Sequence, residues 1–229
     1  MFSRREFVGT IATLPILNSV NFSQKTSEKI DRFALVMRHN PKLKKIDTLS
    51  PLSVGNGEFA FTADVTGLQT FTEEYVEKFP LCTMSNWGWH SIPRPKELER
   101  KTLKLKEYDT YGRKVGYQTS SEGQKELYDW MRQNPHRLNL AQIGLQLNKS
   151  DKSAAKSSDI SEIEQTLDLW TGIITSKFKF DGSLVIVTTC VHPTSDILAV
   201  KIESELIQRK QFNVKFAFPY GSPNMSASD

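Results

Sequence analysis

The sequence predicts a mostly β chain, an antiparallel β-sandwich with one short helix near 121–134. Three observations carry this. First, Phe59, Phe61, Ala63 and Val65 alternate with Glu58, Ala60, Thr62 and Asp64, the period-two pattern of a half-buried strand. Second, the final third is a series of apolar-rich runs punctuated by turn residues. Asp181-Gly182 is the clearest of these, because a type I′ hairpin needs positive φ at both central residues. Third, one segment alone carries a persuasive helical stripe, with Leu127, Trp130 and Met131 at i, i+3 and i+4.

Taken in order, residues 1–22 read as an address. Ser3-Arg4-Arg5-Glu6-Phe7-Val8 fits the twin-arginine export pattern. The apolar run behind it, broken by Pro15, is shorter than the roughly 20 apolar residues of a membrane-spanning helix. Export to the periplasm or the exterior is the expectation, with 23–30 a polar spacer and 31–229 the sandwich domain. The composition suits an exported globular chain, with 38% hydrophobic and 24% charged residues in a length of 229. A net charge of +4 is too mild to argue for nucleic acid, and no nucleic-acid motif is present. No stretch is long enough for a stable membrane span. Cys82 and Cys190 are the only cysteines. A disulfide is open to them in an oxidising compartment, but two unpaired buried thiols are the preferred reading.

In 31–40, Phe33, Leu35 and Met37 alternate with Arg32, Ala34 and Val36, which predicts a strand ending at His39, a residue expected to bond locally. Residues 41–49 read as a basic, solvated connection. Gly55-Asn56-Gly57 is a tight turn before the alternating strand, Thr66-Gly67 turns the chain again, and 68–71 begins a second extended run. Trp87-Gly88-Trp89-His90 is a dense aromatic patch in a segment that reads as loop. Leu103 and Leu105 alternate with Lys104 and Lys106, as in a strand whose cationic face guards an edge, and turn residues follow over 107–116. Ser121 and Gln124 have capping-box spacing at the helix start, and Asn134-Pro135 ends the helix because the residue before proline avoids the α region. Alternation resumes at 136–140 and leads into a strand at 143–147. The Ser-, Lys- and Asp-rich 149–161 reads as a surface excursion. Residues 167–176 form an apolar run with Trp170, 184–189 is apolar on both faces and is expected between two layers, and 197–207 and 212–218 add two strands.

The run PLSVGNGEFAFTADVTGLQTF at 51–71 resembles the opening of bacterial six-hairpin glycosidases, the group that includes maltose-phosphorylase-like and fucosidase-like enzymes. In that group a P-L-x-x-G-N-G turn opens an N-terminal sandwich of the supersandwich type, and a catalytic (α/α)6 barrel follows. WGWH at 87–90, NPHR at 134–137, LDLWTGIITSKFKFDG at 167–182, VTTCVHPTSD at 187–196 and FAFPYGS at 216–222 extend the likeness from about Arg38 onward. The resemblance implies a domain of an exported glycoside hydrolase acting on oligo- or polysaccharide. It implies no metal and no organic cofactor, and a helical catalytic domain of the same parent chain as partner. It also makes these residues look like an N-terminal piece, truncated before the barrel. Two readings from other classes stand beside it: a non-catalytic carbohydrate-binding module and a cell-envelope scaffold domain.

Glycoside hydrolysis uses two carboxyl groups roughly 5 to 9.5 Å apart, and the resemblance puts both in the barrel, so no catalytic residue is assigned here. Glu73 and Glu74 are adjacent and point apart in extended chain. With Asp64, near a strand end, they read as solvated surface acids. There is no G-x-S-x-G elbow and no phosphate-binding glycine loop. His39, His90, His136 and His192 lack metal-ligand spacing, and a Cys82–His90 nucleophile has only proximity in sequence behind it. The candidate substrate contacts are Trp87, Trp89 and His90, since sugar C–H faces stack on indoles. The competing reading has the tryptophans plugging the gap to a neighbouring domain. Asn134, His136 and Arg137 form a second polar cluster, which competes with a plain helix-ending turn.

Overall fold

A computed structural model describes residues 29–99 and 101–221. The expected export signal at 1–22 and most of the spacer lie outside the described residues. The folded unit runs from Arg32 onward.

The first element is a helix, α1 (Arg32–Met37), not the expected strand. None of its residues is buried. Its backbone closes locally, with Arg38 N donating to Ala34 O at 3.3 Å, so internal hydrogen bonding overrides a two-residue alternation. Phe33 meets Trp170 edge-on with ring centroids 5.4 Å apart. Then come β1 (Lys42–Leu43), β2 (Leu52–Gly55), β3 (Phe59–Ala63), the short α2 (Thr72–Tyr75), β4 (Thr83–Ser85) and β5 (Trp89–His90). Next are β6 (Lys106–Thr110), β7 (Arg113–Tyr117), α3 (Lys125–Arg132), β8 (His136–Arg137) and β9 (Gln142–Leu147). The last five are β10 (Ile160–Asp168), β11 (Ile173–Phe180), β12 (Ser183–Val191), β13 (Leu198–Glu203) and β14 (Phe212–Ala217).

The fold is mostly β, and its named strand pairs are antiparallel. One sheet has the order β1-β10-β11-β12-β13; β2-β3-β4 and β14-β9 are smaller sheets. A continuous apolar core lies between them. Val54, Phe59 and Phe61 come from the β2–β3 hairpin, Ile174, Phe178, Val185 and Val187 from β11 and β12, and Leu145 and Leu147 from β9. The two faces thus cover each other as in a sandwich. The hairpin at Asp181-Gly182 is as expected, with φ of 47° and 76°, and Phe180 pairs with Ser183 across it. β12 does sit centrally, between β11 and β13. Only one of its faces is sealed, however: Val185, Val187 and Thr189 are buried and Leu184 is exposed.

Several expected boundaries move for local reasons. Residues 68–71 are not extended; they turn into α2. Leu103 and Leu105 precede the strand, which starts at Lys106, and the turn-rich 107–116 is a hairpin of β6 and β7 about Tyr111-Gly112. The helix begins at Lys125, without a capping box at Ser121. The Gln124 side chain bonds Lys104 instead, accepting from its N–H at 2.8 Å and donating to its carbonyl at 2.7 Å. The apolar run at 167–176 is broken by a turn after Asp168, whose carboxylate accepts from Trp170 N at 2.9 Å. The run at 197–207 ends as a strand at Glu203. Asn134-Pro135 does follow the helix directly, as a cis peptide.

The largest surprise is a polar seam inside the core. Thr62, Asp64, Thr66, Gln69, Gln165, Ser176 and Thr189 are all buried. The reading of Asp64 as a solvated acid is overturned, for it is 1% exposed. Its Oδ1 accepts from Thr66 N at 2.7 Å and Thr66 Oγ1 at 2.6 Å, and its Oδ2 from Thr70 N and Phe71 N, both at 2.7 Å. Four donors replace the lost water. The carboxylate thereby folds the 64–71 loop back over the polar face of β3. Gln69 continues the seam, donating to Thr62 O at 3.0 Å and accepting from Ile143 N at 3.0 Å.

Candidate functional site

The two polar-aromatic clusters expected from sequence lie far apart in the chain, and one short ladder joins them. β5 pairs with β8, with Trp89 opposite Arg137 and His90 opposite His136. The strands beyond hold this register. Leu138 N donates to Gly88 O and Leu140 N to Thr83 O, both at 2.8 Å, and Thr83 N donates to the buried Asn139 side chain at 3.0 Å. Opposing residues of an antiparallel pair share a face, and successive pairs alternate. Trp89 and Arg137 therefore share one face, and the two histidines share the other.

On the histidine face the rings meet edge-on, 5.5 Å between centroids. His136 Nδ1 lies 2.9 Å from Gln133 O. A carbonyl only accepts, so Nδ1 carries a proton. Asn134 does not reach into the cavity beside Trp89. Its Oδ1 caps Ile92 N at 2.5 Å and its Nδ2 donates to Trp130 O at 2.8 Å. The helix-ending reading thus accounts for Asn134, and His136 likewise meets the helix-end carbonyl of Gln133.

At this ladder, Asn86, Trp89, Pro135, His136 and Arg137 wall a cavity of about 370 Å³. A second lobe of about 350 Å³ shares Asn86 and Arg137 and adds Glu58, Met84 and Ser85 along the β2–β3–β4 sheet. Each volume is in the range of small-ligand pockets. Arg137 stands at the junction, donating to Asn86 O and, at 3.4 Å, to Asn86 Oδ1.

Trp87 is fixed from a different direction. Its indole N–H donates to Asp196 Oδ2 at 2.9 Å, and Ser85 Oγ donates to the same oxygen at 2.5 Å. Asp196 sits in the turn between β12 and β13, and that turn is held by Asn56. Asn56 Nδ2 donates to His192 O at 3.0 Å and Ser195 O at 3.1 Å, while its Oδ1 accepts from Glu58 N at 3.0 Å and Phe59 N at 2.8 Å. One amide of the Gly-Asn-Gly turn thus braces its own hairpin and the loop that anchors a tryptophan. In the sequence Asp196 is only the last residue of the VTTCVHPTSD segment, and the fold alone puts it beside Ser85 and Trp87.

Both indoles are solvent-facing in this chain, Trp87 at 70% and Trp89 at 54% exposure. Large aromatics are usually well covered; Trp89 is left bare in the wall of a cavity. Larger cavities exist without that feature. One of about 520 Å³ lies between 101–104 and the start of α3. Another of about 680 Å³ is lined by Glu73, Glu74, Lys156 and Lys215. Glu74 is taken by Ser157 Oγ, at 2.5 Å, and neighbouring helix positions do not face each other.

The remaining sequence candidates are scattered. His39 bonds its neighbour Arg38 at 3.2 Å, and His192 Nδ1 accepts from Thr194 N at 3.3 Å. Cys82 and Cys190 are free thiols, and both are half-buried rather than fully buried. Burial pushes the Cys82 thiol above its ordinary value, which makes it a poor nucleophile. Among the described residues, no helix is long and apolar enough to cross a membrane.

No family model and no curated protein matches the chain.

Proposed function

We propose that this chain is a carbohydrate-contacting β-domain of an exported glycoside hydrolase of the six-hairpin type. In that reading it supports a helical catalytic domain of the same parent chain and lends its β4–β5 loop to the substrate. The observation that carries the reading is the exposed Trp89 in the wall of a cavity shared with Asn86, His136 and Arg137, with a second exposed indole, Trp87, two residues away in the chain. Indole faces take the C–H side of a pyranose while amide, imidazole and guanidinium groups take its hydroxyls. The likeness of 51–71 to the opening of such enzymes supplies the parent class, and a mostly β antiparallel fold agrees with it.

Hydrolysis itself would be the work of a carboxylic acid and a carboxylate on the helical domain. A free-standing binding module is the second reading, favoured by the same indoles, since they lie within this chain.

The experiment is calorimetric titration of oligosaccharides into the protein and its Trp89→Ala variant. Loss of one stacking face is expected to weaken binding roughly tenfold, ~1–2 kcal/mol. The melting temperature is expected to hold, because Trp89 is 54% exposed and surface changes cost about 0.5 kcal/mol or less. Unchanged affinity would sink the platform. A large fall in melting temperature would show Trp89 to be a packing residue.

A further inference from the structure

We infer that the Trp89–Arg137 cavity takes an acidic sugar, a residue bearing a carboxylate or sulfate, rather than a neutral one. This rests on the carbohydrate reading above and sharpens it.

The walls of the 370 Å³ lobe are Asn86, Trp89, Pro135, His136 and Arg137. They hold one permanent cation, one imidazole and no carboxylate. Among the described residues Arg137 forms no ion pair; its printed bonds go to the neutral oxygens of Asn86. A guanidinium has five N–H groups in a rigid fork, so donors remain for a ligand. A fork with free donors fits a carboxylate or sulfate better than a lone hydroxyl.

The placement also fits one sugar unit. Trp89 and Arg137 are opposite each other across the β5–β8 ladder, and opposing Cβ atoms lie about 4.5–5.5 Å apart. A pyranose stacked on the indole carries its ring substituent within reach of the fork. The neighbouring lobe, which shares Arg137, also holds an acid. Glu58 lines that lobe, and Asp196 is engaged by Ser85 and Trp87. Arg137 thus stands between both lobes, and only the Glu58 side adds an acid. The lobe beside Trp89, free of any carboxylate in its walls, is the better seat for an acidic unit.

The test uses the full 229-residue protein at fixed ionic strength. Matched pairs are titrated by calorimetry: cello-oligosaccharide against its C6-oxidised uronate form, manno-oligosaccharide against oligomannuronate, and a sulfated cello-oligosaccharide. The expected result is that an acidic member binds roughly tenfold tighter than its neutral match. Arg137→Gln is expected to erase most of that preference, weakening the acidic members several-fold more than their neutral matches. Because Arg137 also braces Asn86, Arg137→Lys serves as a second variant, keeping the charge but losing the fork; the preference is expected to fall several-fold. Equal binding of neutral and acidic members, or a preference unchanged in both variants, overturns the inference and leaves the carbohydrate reading standing. No binding of any member overturns both.

Discussion

Asp64 shows what a single residue can hide. In sequence it is the polar member of an alternating strand, which points to water. In the fold its carboxylate accepts four hydrogen bonds and ties Thr66, Thr70 and Phe71 together. Asp64→Asn replaces an acceptor by an N–H that must face a backbone donor. The expected cost is about 1–3 kcal/mol of stability, read as a lower denaturation midpoint at unchanged slope. Burial pushes the Asp64 carboxyl above its ordinary value of 3.8, and the Thr66, Phe71 and Thr70 donors only partly offset it. The native state therefore holds this proton more tightly than the unfolded chain does. Its contribution is complete below the ordinary value and is lost as pH rises through the native one. Denaturation followed as pH rises from below the ordinary value should show that loss in the natural protein and not in Asp64→Asn. A difference between the two that does not vary with pH would refute the assignment. The alternation at 58–65 was legible; the second cover over its polar face was not, because it comes from a loop whose only local signal is Thr66-Gly67.

At the scale of elements, β11 and β12 were readable, whereas β10 (Ile160–Asp168), whose start reads as a polar surface excursion, and the two-residue strands were not. β11, β12 and their Asp181-Gly182 turn follow from patterning, since one face is sealed by the core along their whole length. β5 and β8 have two residues each, too few for any period, and the loop reading of 87–90 missed the ladder that assembles the site. α1 fails for the opposite reason: its alternation is real, but nothing buried enforces it. β9 offers a sharp test of packing between elements. A Cβ added at Gly144 would lie 2.3 Å from Gln69 O and 3.1 Å from Thr70 Cα, both backbone atoms that cannot swing aside. Gly144→Ala is therefore expected to destabilise the fold by about 1–3 kcal/mol through forced separation of β9 from the 69–70 segment. Hydrogen exchange at Gln69, whose N–H donates to Ile143 O at 2.8 Å, should quicken with it. A neutral substitution would mean that this contact is loose.

Across the whole molecule, fold class was the most legible property and the site the least. Two layers of antiparallel strand follow from alternation and turns alone. The individual site residues Trp87, Trp89, His90, His136 and Arg137 were visible as unusual chemistry. Their assembly into one pair of faces was not, because register between segments so distant is set by tertiary packing. Asp196 and Asn56 went unnoticed as parts of the site, since an aspartate in a turn and an asparagine between glycines look ordinary until they are placed.

Asn56 ties distant regions into one mechanical unit. Its side chain grips the carbonyls of His192 and Ser195, and the loop it grips supplies the oxygen that holds the Trp87 indole. A guest resting on that indole would quiet the loop from behind, without touching it. Occupancy should then slow deuterium uptake at the His192 amide, whose N–H donates to Ile197 O at 2.9 Å. Severing the grip with Asn56→Ala should leave that amide indifferent to the guest.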